Sequence, residues 1–95
     1  MQDQPPTEFL AECFWPGVAE SDLQALDERV QALAAELAGQ SLDIEYLGSL
    51  LIRSDEVVFC RFRGREELVR HVAEGAGVPF ERILEAQQSP FPKTT

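Results

Sequence analysis

An α+β sandwich with the element order β-α-β-β-α-β is the fold class this sequence predicts, and three observations predict it. Residues 42–62, LDIEYLGSLLIRSDEVVFCRF, are two apolar β-rich runs joined at Arg53-Ser54-Asp55-Glu56, the pattern of a hairpin. The residues before the hairpin read as strand then helix, and those after it as helix then strand. The third observation is length: 95 residues suffice for one domain around one core and are too few for two.

The first strand is expected over residues 8–15, rich in aromatic and aliphatic side chains, with Pro16-Gly17 as its stop, since proline donates no hydrogen bond and glycine opens the turn. Ser21 with Gln24 three residues on has the spacing of a capping box. Leu23, Leu26, Val30, Leu33 and Leu37 then recur at intervals of three and four, which predicts a helix over 22–38 closed by Gly39. Asp27, Glu28, Arg29, Gln31 and Glu36 read as its solvated face. After the hairpin, Gly64 is the expected N-cap of a second helix, and Glu66-Glu67 put negative charge where the helix dipole favours it. Leu68, Val69, Val72, Ala73 and Ala76 form its apolar face, and Gly75, Gly77 and Pro79 end it. A modest edge strand comes next over 83–88, before Ser89-Pro90-Phe91-Pro92 breaks regular structure. The organisation expected is a loose tail over residues 1–7, a domain over 8–88 and a second loose tail over 89–95.

Right-handed crossovers in both halves give an antiparallel sheet of order 4-1-3-2 with both helices on one face, the ferredoxin-like sandwich. Period-two alternation puts Phe9, Ala11, Cys13 and Trp15 on one face of the first strand, and Val58, Cys60 and Phe62 on one face of the third. These uniformly apolar sets should face the helices. The opposite face carries Leu10, Phe14, Val57 and Phe59 around Glu12 and Arg61, too apolar to be left wholly in water. A homodimer burying that face is expected, or failing that a ligand floor.

Composition narrows the partners. Eight basic against 17 acidic residues, a net charge of -9, would repel phosphate backbones and anionic headgroups, so neither nucleic acid nor a membrane surface is an expected partner. No apolar run is long enough to span a bilayer, and the polar start MQDQPPTE lacks the features of a signal peptide, so a cytoplasmic location is expected. Cys13 and Cys60 lie in apolar strand runs without CxxC spacing and read as small buried thiols.

Glu12 and Arg61 share a face on adjacent central strands, where a carboxylate and a guanidinium on an apolar floor could orient a polar ligand between Phe14 and Phe59. A cross-strand ion pair at a subunit interface is the commoner outcome of that pattern. His71 is the sole histidine, with Glu67 four residues before it and Glu74 three after. One imidazole among carboxylates is a poor transition-metal site without further nitrogen or sulfur donors. Tyr46, Ser49 and Ser41 have no histidine at a telling spacing, and there is no glycine-rich phosphate cradle, which excludes ordinary triad and P-loop chemistry.

Ala11-Glu12 with Trp15-Pro16-Gly17, the segment 49–62 with Phe59-Cys60, and His71-Val72-Ala73 leading to residues 77–83, GVPFERI, together carry a resemblance. The chain resembles a family of small bacterial ferredoxin-like proteins catalogued as a domain of unknown function, with a nickel-binding branch. The resemblance implies a homodimer and a transition-metal site, nickel above all; the candidate ligands are His71 and Cys60, with Glu67 and Glu74 added by their helical spacing from His71. Glu12, Ser49, Cys60 and His71 stand where the family pattern has the same residue types, whereas Gly48 stands where it usually has histidine and Tyr46 where it has tryptophan. Two function classes stay open at this point: a non-catalytic binding protein, for a metal or a small ligand, and a dimeric ferredoxin-like enzyme working on a hydrophobic small molecule in a cleft on the open sheet face.

Overall fold

The computed structural model describes residues 7–87, arranged as β1 (Thr7–Phe14), α1 (Glu20–Ala38), β2 (Ile44–Ile52), β3 (Val57–Gly64), α2 (Glu66–Gly75) and β4 (Arg82–Gln87). The strands form one antiparallel sheet in the order β2-β3-β1-β4, the expected ferredoxin-like layout. The hairpin turns at residues 53–56 as expected, with Glu56 taking a left-handed φ of 55°. The expected tails lie outside the described residues over 1–6 and 89–95, as does residue 88 of the last strand, whereas Thr7, expected in the first tail, opens β1 by pairing with Gln87.

Alternation sorts the strands as the sequence implies. Phe9, Ala11 and Cys13 of β1 and Val58, Cys60 and Phe62 of β3 are buried under the helices. Leu26, Val30, Ala34 and Leu37 of α1, and Val69, Val72 and Ala73 of α2, meet them from the other side. Burial of each such aliphatic or aromatic side chain contributes about 1.5–3 kcal/mol before the cost of ordering it.

Three local details differ from expectation. First, α1 starts two residues early, at Glu20, and its cap is not Ser21: the Asp22 carboxylate accepts the Ala19 N–H at 2.9 Å. An acid at the third helical position closes the end as well as a serine before it would. Second, α2 has Arg65 and not Gly64 at its N-cap. Gly64 has φ 139°, and a Cβ there would run into the Asp43 carbonyl oxygen, so glycine is required for the close approach of the loop before β2. Third, the register of β2 against β3 steps from Tyr46↔Phe62 to Gly48↔Arg61, leaving Leu47 as the extra residue of a bulge. Gly48 supplies the φ of 101°.

Candidate functional site

The cross-strand register resolves the open face of the sheet into four rows. At one end Glu45, Arg63, Glu8 and Ala86 stand side by side, followed by Gly48, Arg61, Leu10 and Leu84. Leu50, Phe59, Glu12 and Arg82 come next, and Ile52, Val57 and Phe14 end the face beside the hairpin turn. Charge therefore collects at the end far from the turn, and apolar side chains collect near it. Phe14, Leu50 and Ile52 are 55%, 50% and 40% exposed, a cluster that water does not favour.

Glu12 and Arg61 do share this face, as the alternation implies, but each binds another partner. Arg61 donates to Glu8 at 3.3 Å, and Glu8, almost wholly buried, also lies 3.8 Å from Arg63. Arg63 reaches Glu45 at 3.3 Å, while its Nε is buried without a partner. Glu12 is instead bonded by Arg82 of β4, whose guanidinium is held in its charged form by that carboxylate. The reason is register: Glu12 lies directly opposite Arg82, whereas Arg61 lies opposite Leu10. The role of Arg82 could have been found by extending the same parity argument to the last strand. Glu12, Phe14, Val57, Glu81 and Arg82 line an open depression of about 580 Å³, and the Glu81 N–H donates to the Glu12 carbonyl at 2.8 Å, fixing its rim. Phe59 neighbours Glu12 directly across the strands. Of the expected ligand residues the structure thus places Glu12, Phe14 and Phe59 together, and Arg61 one row away.

The residues named for a metal are not brought together. Cys60 is fully buried on the sheet side of α2, and His71, Glu67 and Glu74 are on its exposed surface, where Arg65 binds Glu67. Among the described residues there is no group of three or more His, Cys, Asp and Glu side chains placed to hold a metal ion. Position 48 faces the open side of the sheet with Arg61, away from Cys60. Among the described residues the donors named for nickel do not converge on one point.

A second polar constellation went unseen in the sequence. Asp27 of α1, read as part of the solvated face, is half-buried and accepts from the Tyr46 hydroxyl at 2.6 Å and the Ser49 hydroxyl at 3.2 Å. Residues three apart on a strand normally point to opposite faces. The bulge at Leu47 resets the alternation, so both hydroxyls project under α1. Burial, with the Asp27 hydrogen bond adding to it, pushes the Tyr46 hydroxyl far above its ordinary value. Tyr46 stacks at a tilt on Phe62, ring centres 5.0 Å apart. Next to it lie the free thiols of Cys13 and Cys60, both fully buried. The hydrogen bond with Cys60, and then burial, raise the Cys13 thiol, while the same bond lowers Cys60 against its burial. With neither sulfur reaching solvent, this group joins helix to sheet and offers no surface to a substrate.

No protein-family model matches the chain, and no curated protein matches it. Among solved structures, the crystal structure of SCO4226 from Streptomyces coelicolor A3(2) superposes with a TM-score of 0.69 at 17% sequence identity, over 87% of this chain and 99% of that one. The likeness establishes the fold. At such identity it carries no residue's role across, so the reading of the site rests on the open face itself. Among the described residues no helix is long and apolar enough to cross a membrane.

Proposed function

We propose that the protein is a small binding protein whose site is the depression at the Glu12–Arg82 end of the open sheet face, and that its ligand is a small amphipathic organic molecule. The observation that carries this reading is the mixed lining: a neutralised ion pair set into an apolar floor of Phe14 and Val57. Ligand sites are typically concave and largely apolar, with a few fixed polar groups that orient the molecule. Glu12 and Arg82 offer an acceptor and a donor to one polar group, and Phe14, Val57 and Phe59 receive the apolar part. Turnover is not part of this reading, because no hydroxyl, thiol or imidazole lines the depression and its Glu12 carboxylate is engaged by Arg82.

The test is an amide chemical-shift titration with two opposed probes, phenethylamine and 3-phenylpropionate. Shifts confined to residues 12–14, 57–59 and 81–82, and abolished in Glu12→Gln, are expected for at least one of them. Saturating probe that leaves those amides unmoved, or moves them equally in the variant, contradicts the reading.

A further inference from the structure

The charges of the open face are shared unevenly between its two ends. At the end far from the hairpin turn, Glu8 and Glu45 stand against Arg61 and Arg63, and ion pairs join all four. At the other end Glu12 and Glu81 line the depression, with Arg82 the only cation among the described lining residues. The surplus of acid therefore falls in the depression, and the hairpin turn beside Val57 adds Asp55 and Glu56 against Arg53. The chain as a whole, at a net charge of -9, surrounds the depression with a field of the same sign. An approaching anion is repelled and a cation is drawn in.

We infer, on the basis of the proposed ligand site, that its ligand is an organic cation: an ammonium group on an apolar arm. The geometry of the ion pair supports that sign. The side chain of Glu12 is 23% exposed and that of Arg82 64%, so the carboxylate lies deeper while the guanidinium reaches out into water. Among the described residues Arg82 engages Oε1 of Glu12 and no donor engages Oε2, which leaves that oxygen to accept from a ligand. The Glu81 N–H bonded to the Glu12 carbonyl at 2.8 Å keeps the second carboxylate beside the first. A primary ammonium, with three donors and no acceptor, matches such a site. A carboxylate ligand would face Glu12 and Glu81 and gain only the exposed guanidinium, a solvated contact of little worth. Phe59 lies directly across the strands from Glu12, and Phe14 follows two residues along the same face of β1, half exposed. Aromatic rings beside a carboxylate attract an ammonium, and Phe14 with Val57 receives the apolar arm.

Three probes that share a phenethyl arm test the sign: phenethylamine, 2-phenylethanol and 3-phenylpropionate, each titrated while the amides of residues 12–14, 57–59 and 81–82 are followed. Phenethylamine should bind at least about tenfold more tightly than 3-phenylpropionate, with the alcohol between them. Raising the salt from about 0.01 M to about 1 M, which shortens the Debye length from about 30 Å to about 3 Å, should shrink that ratio. Glu81→Gln, at an exposed position and with its backbone bond to Glu12 retained, should lower the ratio about threefold and still bind the amine. An alcohol that binds as tightly as the amine, or a ratio unmoved by salt or by Glu81→Gln, would overturn the inference. Shifts with the acid at least as strong as those with the amine, and abolished in Glu12→Gln, would keep the site and remove the cation. No shift with any of the three would remove the site and the cation with it.

Discussion

Asp27 spends both carboxylate oxygens on hydroxyls from one strand, so its loss strands two donors at once. Asp27→Ala should cost about 1–3 kcal/mol in urea unfolding, and adding Tyr46→Phe should recover part of that, because the orphaned hydroxyl goes too. Equal, additive losses would show that the pair does not interact. Tyr46 also makes the fold sensitive to alkali. Its folded-state value is raised above the unfolded one of about 10, so its contribution is complete below about pH 10 and is lost as pH rises beyond it. Wild-type stability should therefore fall there by up to about 1.4 kcal/mol per pH unit more steeply than that of Tyr46→Phe. As the sole tyrosine, it reports on itself: tyrosinate absorbance should appear only with unfolding. At this scale the sequence was least legible. Asp27 has the spacing of a solvated residue, and nothing in residues 46–49 announces that Leu47 is surplus; only the register reveals that Tyr46 and Ser49 point the same way.

The elements themselves were almost fully written in periodicity. The three-and-four spacing of Leu23 to Leu37, the alternation of residues 9–13 and 58–62 and the turn at 53–56 each had one reading, and the structure follows them within a residue or two. Caps were harder, because Ser21 and Asp22 compete for the same helix end and the acid prevails. Gly64 is a second case: it reads as a cap, while its place against Asp43 makes it a backbone requirement. Gly64→Ala should therefore destabilise by at least about 2 kcal/mol, more than the few tenths that loss of a capping glycine would cost. Thermal melts distinguish the two, and an unchanged melting temperature would return Gly64 to the role of a simple cap.

Over the whole molecule, the helices cover one side of the sheet and leave the other to be explained. Its parity was readable, which is why Glu12, Phe14 and Phe59 were placed on it together; its pairing was not, since Arg82 enters only once β4 is placed beside β1. Four rows running from charged to apolar give that face a direction. Native mass spectrometry of the protein purified from its own source tests the ligand site most directly. The expected result is protein carrying additional mass from a small molecule, lost on Glu12→Gln; protein without added mass would contradict the account.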